Sequence, residues 1–154
     1  PDKIAFLESI GVDATIDYKK TPDLAAELAR VAPKGIDVYF DNVGGSHLEA
    51  ALAAARPFGR FALCGMISQY NETQPVPGPS NLMLAVGKSL RLEGFIVSNH
   101  AAAHQAAFAR DIAEWIGAGQ VKWQETVEEG IARAPEAFLK LFRGDNLGKM
   151  LVKL

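Results

Sequence analysis

The sequence predicts an α/β fold built around a parallel β-sheet. Short apolar runs alternate with helical segments of about ten residues, and the runs are apolar almost throughout. Strands with this pattern are typical of a parallel sheet that helices cover on both faces. Two of the runs end in small and polar residues, FDNVGGSH at positions 40–47 and CGMIS at positions 64–68. Because ligands bind at the carboxyl ends of parallel strands, a nucleotide site is one interpretation of these stretches.

The first segments predict two helices separated by a short strand. Residues 1–10 have Pro1 and an aspartate in the first turn, apolar residues at helical spacing and a glycine just beyond. Ala14–Asp17 is a short β-like run. Residues 22–31 are rich in alanine and leucine, which favours a helix, and a proline and a glycine follow soon after.

The middle of the chain supplies the predicted sheet. We expect strands at Ile36–Phe40, Arg60–Cys64 and Leu90–Val97, with a helix at Ser46–Ala55 between the first two. The proline-rich segment at 68–81 is too long for a simple connector.

The pattern changes after Val97. The later strands alternate more in polarity than the earlier ones, which indicates a second structural unit. We expect helices at Ala101–Gly117 and Pro135–Phe142 and strands at Val121–Val127 and Lys149–Lys153.

The composition describes one ordinary globular domain. The chain has 154 residues, 49% of them hydrophobic, and its net charge of −2 gives no case for nucleic acid or an anionic membrane. It has no apolar run of membrane-spanning length, and its first residues do not match a signal peptide. The single cysteine, Cys64, excludes an internal disulfide and suits a reducing compartment, so we expect a cytoplasmic protein.

The polar and small residues after the first strand of the sheet allow two interpretations. Gly44, Gly45 and Ser46 could let a phosphate or ribose approach the backbone N–H groups of a helix start. The favoured alternative is a capping box, in which Ser46 and Glu49 satisfy those N–H groups themselves. Asp41 and Asn42 belong equally well to a turn or to a ligand contact at the end of the strand.

Other candidate sites have weaker support. Cys64 is expected to be a buried and inert thiol, because no histidine lies near it in the sequence. His100 and His104 are four residues apart on a predicted helix, but no third ligand has a matching spacing, so we expect no metal site. No Tyr-x-x-x-Lys pair, nucleophile elbow or phosphate-binding P-loop is present.

The glycine fingerprint of dinucleotide-binding folds is also absent. No G-x-G-x-x-G motif occurs, and the chain begins on a helix where such a fold begins on a strand. We therefore expect a partial doubly wound, Rossmann-type sheet that lacks its first strands. Ala14–Asp17 would then pair beside Ile36–Phe40, pair with another chain, or lose its ladder.

Three stretches together indicate a family. With YFDNVGG at 39–45, CGMISQYN at 64–71 and NLGK at 146–149, the chain resembles the zinc-independent medium-chain dehydrogenase/reductases. The resemblance is to the group of leukotriene B4 12-hydroxydehydrogenase, prostaglandin reductase and NADP-dependent alkenal double-bond reductase. It covers the whole chain and implies the C-terminal portion of such a protein. Residues 1–100 would be a partial NADP-binding domain, and residues 101–154 would complete it and return to the catalytic domain.

The resemblance implies which residues contact NADP(H). Lys3 would bind the 2′-phosphate, Tyr18 would line the adenosine side, and Asn42 would contact the cofactor at the strand end. A backbone segment beside the nicotinamide would be formed by Phe95, Ile96 and Val97, and Asn146 would contact the cofactor from the C-terminal return. The loop that would cover the nicotinamide half consists of Cys64, Gly65, Met66, Ile67, Ser68 and Tyr70.

The implied activity is NADPH-dependent reduction of the carbon–carbon double bond of α,β-unsaturated aldehydes and ketones. The alternatives are a quinone or other zinc-free medium-chain reductase, or a non-catalytic α/β binding or dimerisation module. Tyr70 is a weak candidate for the proton donor, and a catalytic tyrosine of some relatives is replaced by Val86, so the catalytic residues stay unassigned. The resemblance also implies a homodimer joined through the Leu90–Val97 edge strand, and these 154 residues alone are expected to be inactive.

Overall fold

The computed structural model describes residues 2–154, so Pro1, which belongs to the first predicted helix, lies outside the described residues. The chain forms two compact units. One unit is Ile16–His104, and the other combines the segment up to Thr15 with Gln105–Leu154. Among the described residues, no helix has the length and apolar character needed to cross a membrane.

The Ile16–His104 unit contains a three-stranded parallel sheet, which confirms the predicted fold class. Its strands are β1 (Ile36–Asp41), β2 (Ala55–Leu63) and β3 (Arg91–Gly94), in the order β1-β2-β3. The last strand lies at the edge, as predicted, but is shorter than the predicted Leu90–Val97. The helices of this unit are α2 (Leu24–Val31), α3 (Gly45–Ala54) and the short α4 (Leu84–Gly87).

The core of this unit lies between α3 and one face of the sheet. Leu52 of α3 and Phe61 of β2 are almost fully buried and belong to one apolar cluster. Successive side chains of a strand point to opposite faces of the sheet, so some side chains of β1 lie on the face away from α3. On that face Val38 and Phe40 are 57% and 58% exposed. The expectation that both faces are covered is therefore wrong for β1.

The helix α2 begins where the sequence supplies an N-cap. The carboxylate of Asp23 accepts a hydrogen bond from the backbone N–H of Ala26 at 2.9 Å, which satisfies one of the free donors of the first turn. The helix ends at Val31, shortly before Gly35, which has a φ of +77°. This helix packs against α3 on the core side of the sheet.

The predicted strand at Ala14–Asp17 is absent from the described structure. These residues pair with no strand, which is the third of the expected outcomes. The carbonyl of Asp17 instead accepts hydrogen bonds from the backbone N–H groups of Lys20 and Thr21, at 2.9 and 3.1 Å. A β-strand needs a neighbouring strand that pairs with its backbone N–H and C=O groups. Here the carbonyl of Asp17, the last residue of the predicted strand, is used by a turn.

The second unit contains a two-stranded parallel sheet, three α-helices and a short 3-10 helix, Ile131–Arg133. Strands β4 (Glu125–Glu129) and β5 (Lys149–Lys153) pair in register, from Glu125 opposite Lys149 to Glu129 opposite Lys153. The helices are α1 (Asp2–Ser9), α6 (Ala134–Arg143) and α5 (Ser98–Gly117), whose sequence spans the boundary between the units. Strand β4 begins four residues later than predicted.

The helix α6 ends at Arg143 and is followed by its C-cap Gly144, which has a φ of +73°. Glu128 of β4 connects the sheet to the helical region, since its carboxylate binds Lys140 and also Arg133 at 3.3 Å. The hydrogen bond from Lys140 holds the pKa of Glu128 below its ordinary value of 4.5.

Candidate functional site

Two loops meet at the carboxyl ends of β1 and β2. The first loop is 42–45 and the second is 64–68, and we call them together the loop pair. The backbone N–H of Ile67 donates to the carbonyl of Asn42 at 3.0 Å. Both the backbone N–H and the hydroxyl of Ser68 donate to the carbonyl of Val43, at 3.2 and 2.6 Å. These bonds hold the loops side by side, as the parallel-strand arrangement predicts.

Asp41, the last residue of β1, holds the loop pair through hydrogen bonds. Its side chain is fully buried, and Oδ1 accepts hydrogen bonds from the backbone N–H groups of Val43 and Gly44 at 2.8 and 2.9 Å. The hydroxyl of Tyr39 donates to the same oxygen at 3.1 Å. Burial, together with the nearby carboxylate, raises the pKa of Tyr39 well above its usual range. Of the two roles left open for Asp41, these contacts support the turn.

The predicted capping box is wrong. The N-cap of α3 is Gly44, at φ +71°, which has no side chain to cap the helix, while Ser46 is the second residue of the helix. Asp41 supplies the acceptor for the helix start from upstream, so Ser46 is not required there. Glu49 instead accepts a hydrogen bond from the backbone N–H of Ser80 at 2.6 Å, which lowers the pKa of Glu49.

Glycines allow the two loops to approach closely. A Cβ on Gly44 would lie 2.9 Å from Cγ and 3.0 Å from Cβ of Met66. A Cβ on Gly65 would lie 2.8 Å from the hydroxyl oxygen of Tyr70, which accepts a hydrogen bond from the backbone N–H of Met66 at 3.4 Å. Gly44 and Gly45 both have positive φ, which a tight turn between β1 and α3 requires.

A cavity of about 450 Å³ opens beside the second loop, at the carboxyl ends of β2 and β3. Its lining is mainly apolar, with one thiol and one carboxamide. The lining residues are Leu63, Cys64, Gly65, Met66, Gly94, Phe95, Ile96 and Asn99. Cys64 is half-buried and not fully buried, so the prediction of a buried thiol is wrong. The thiol lies at the wall of the cavity because β2 ends one residue earlier, at Leu63.

The cavity brings together five residues that the sequence singles out. These are Cys64, Gly65, Met66, Phe95 and Ile96. Sequence reasoning missed Leu63, Gly94 and Asn99. The signal for them was their position, since each lies within three residues of one of the predicted residues.

The remaining predicted residues of this unit lie around the loop pair or near it. Asn42, Ile67 and Ser68 belong to the loop pair itself, and Tyr70 follows it. Val97 is 73% exposed just before α5. The ring of Tyr18 makes an edge contact with His47 of α3, with the ring centroids 5.0 Å apart.

Two predicted residues belong to the other unit. Lys3 is exposed in the first turn of α1. The side-chain amide of Asn146 donates a hydrogen bond to the carbonyl of Gly148 at 2.7 Å.

The histidine pair lies at the start of α5. The rings of His100 and His104 have centroids 6.5 Å apart, and the ring of Phe95 contacts His100 at 6.0 Å. Within residues 2–154, no group of three or more His, Cys, Asp or Glu side chains is arranged to hold a metal ion.

Known proteins resemble the chain over nearly its whole length. Residues 1–120 match the family described as zinc-binding dehydrogenase. Prostaglandin reductase 1 of Bos taurus is 40% identical over 153 residues, which are 99% of this chain and 46% of that protein. The NADP(+)-dependent 2-alkenal reductase of Nicotiana tabacum is 42% identical over 152 residues, 98% of this chain and 44% of that protein.

A solved structure extends the likeness to three dimensions. The crystal structure of CurA in complex with NADPH from Vibrio vulnificus is 37% identical in sequence and superposes with a TM-score of 0.89. It is matched over 99% of this chain and 47% of that one. The chain spans about half the length of the curated relatives it matches.

Proposed function

Because the chain belongs to the zinc-binding dehydrogenase family, we propose that it is the cofactor-binding portion of an NADPH-dependent reductase. The reaction is reduction of the carbon–carbon double bond of α,β-unsaturated aldehydes and ketones. Residues 1–100 bind the cofactor in this proposal, and residues 101–154 complete that region. The predicted membership of the medium-chain group with prostaglandin and alkenal reductases is confirmed.

The observation that carries the proposal is the cavity beside the loop pair. A nicotinamide is a flat ring with one polar carboxamide, and this cavity has apolar walls with two polar groups, on Cys64 and Asn99. Gly65 and Gly94 leave room for a ring because no side chain extends from them into the cavity. The position at the carboxyl ends of parallel strands is the usual one for a dinucleotide.

The residues of this chain bind and orient the cofactor. Asn42 is exposed on the loop pair, where its amide contacts the cofactor at the strand end, and the Phe95–Val97 backbone lies beside the nicotinamide. Lys3 pairs with the 2′-phosphate, and Tyr18 and Asn146 add contacts at the adenosine side and from the C-terminal region.

When bound, NADPH supplies the hydride for the double bond. The mainly apolar walls of the cavity beside the second loop suit the flat face of the nicotinamide ring. The proton donor stays unassigned. Tyr70 is its one candidate here, and its hydroxyl is held at 3.4 Å from the backbone nitrogen of Met66.

The proposal extends to assembly and compartment. Strand β3 lies at the edge of the three-stranded sheet and has unpaired backbone groups along one side. Two copies pair through this edge to form a homodimer. The single cysteine and the nicotinamide chemistry suit a cytoplasmic protein.

The test is nucleotide and substrate selection by the full-length protein, at about the length of its relatives. Calorimetry with NADPH and NADH measures cofactor choice, and a panel of enones and quinones measures the acceptor. The proposal expects NADPH binding and enone reduction. Binding of NADPH with reduction of quinones alone would identify the rival reductase, and no response to NADPH would identify a non-catalytic module.

Lys3→Ala tests the assignment of the 2′-phosphate. A charge-assisted contact contributes roughly 1.5–3 kcal/mol, so this variant weakens NADPH binding about tenfold or more and leaves NADH binding nearly unchanged. Lys34→Ala is the matched control, because Lys34 is also an exposed lysine of this chain. Equal losses for NADPH and NADH would remove the assignment.

A further inference from the structure

Asp41 makes two kinds of contact that hold different loops. Its buried carboxylate accepts the N–H groups of Val43 and Gly44, which belong to the first loop. Its backbone carbonyl accepts the N–H groups of Cys64 and Gly65 at 2.8 and 3.0 Å, which belong to the second loop. One residue therefore determines the position of both members of the loop pair.

The side-chain oxygen is suited to this role by its position. A carboxyl oxygen can accept more than one hydrogen bond, and the N-terminus of α3 favours an acceptor oxygen there through the helix dipole. The second carboxyl oxygen, Oδ2, has no hydrogen-bond partner within the described residues. All the hydrogen bonds that the side chain makes to the turn after Asn42 therefore involve Oδ1.

The consequence reaches the cavity wall. Cys64 and Gly65 line the cavity, and their N–H groups point to the carbonyl of Asp41. If the turn after β1 changes its path, that carbonyl rotates with it, because the carbonyl and the turn share one peptide unit. The wall of the cavity then moves although its own sequence is unchanged.

We propose that Asp41 is a positioning residue, whose buried carboxylate fixes the loop pair and so holds both Asn42 and the Cys64–Gly65 wall in the geometry that binds the cofactor. The inference rests on the proposed function. It assigns to Asp41 no contact with the cofactor or substrate.

The experiment compares variants of Asp41 in the full-length protein. Asp41→Ala removes the acceptor and raises the Kd and KM for NADPH about tenfold or more, with a smaller change in kcat. Asp41→Asn keeps an acceptor oxygen of the same shape and restores the Kd to within about threefold of the original protein. Tyr39→Phe removes only the third donor and also stays within about threefold.

A core variant separates positioning from lost stability. Leu52 is fully buried in α3, about two turns from the loop pair. Leu52→Ala lowers Tm by creating a cavity and is expected to leave the Kd for NADPH unchanged. Should Asp41→Ala fail to fold, Asp41→Ser takes its place, because the shorter hydroxyl does not reach both N–H groups.

The outcomes distinguish this inference from the proposed function. If the original protein does not bind NADPH, the proposed function fails and the role of Asp41 fails with it. If the original protein binds NADPH but the alanine or serine variant binds equally well, only the role of Asp41 is overturned. Equal losses in the Asp41 variant and in Leu52→Ala would also overturn it, because the effect would follow stability alone.

Discussion

Gly44→Ala tests the close approach of the two loops. Gly44 has φ +71° and ψ −156°, a backbone region that is essentially restricted to glycine, and a side chain there costs about 1–3 kcal/mol. The new Cβ would also lie 2.9–3.0 Å from side-chain atoms of Met66, where real Cβ atoms are almost never found. Displacing a packed side chain adds about 1–3 kcal/mol. The free energy of unfolding should fall by about 2–6 kcal/mol.

The assay is thermal unfolding, with NADPH affinity as a second measurement. At about 2–4 °C for each kcal/mol, the expected decrease in Tm is about 4–24 °C. Gly78→Ala is the control, because Gly78 does not have a positive φ and a Cβ there would have no atom within 4 Å. A decrease of less than about 2 °C, matching the control, would show that neither the backbone conformation nor the contact with Met66 restricts this position.

Three further predictions concern helix ends, acid stability and assembly. Lys88→Met removes the ammonium that donates to two carbonyls near the end of α3, at 2.9 and 2.7 Å. In a urea titration the variant should lose about 1 kcal/mol of unfolding free energy. An unfolding midpoint equal to that of the control Lys34→Met would show that Lys88 does not cap this helix end. Because Lys140 lowers the pKa of Glu128, the ion pair stabilises the protein above pH 4.5 and its contribution is lost as the pH falls through the lowered value. Glu128→Gln should therefore lower Tm at neutral pH but not in acid, and a pH-independent difference, or the same profile in Glu129→Gln, would refute the assignment. Sedimentation should find a dimer at micromolar concentration that a proline in β3 dissociates, and a dimer that survives the proline would exclude this edge.

Local pattern predicted most of the elements of this protein. Strands β1 and β5 and helices α2, α5 and α6 lie where apolar spacing and capping residues indicated, because these signals act within a few residues of the chain. Strand β2 begins at Ala55, five residues before the predicted start at Arg60. The parallel sheet followed from the continuous apolar runs. The family followed from three short motifs. The cavity residues Cys64, Gly65, Met66, Phe95 and Ile96 were implied by the family resemblance, and the carboxyl ends of the parallel strands bring them to one edge of the sheet.

The tertiary structure decided which partner each polar group takes. Ser46 and Glu49 match a capping box in sequence, yet Asp41 supplies the acceptor at the helix start and Glu49 binds the backbone of Ser80, 31 residues away. Ala14–Asp17 has a strand pattern but no neighbouring strand within the described chain. The sequence pattern of a segment shows which side chains it can bury and which hydrogen bonds it can make. A hydrogen bond or a strand pair also needs a partner group, and only the tertiary fold brings that partner close enough.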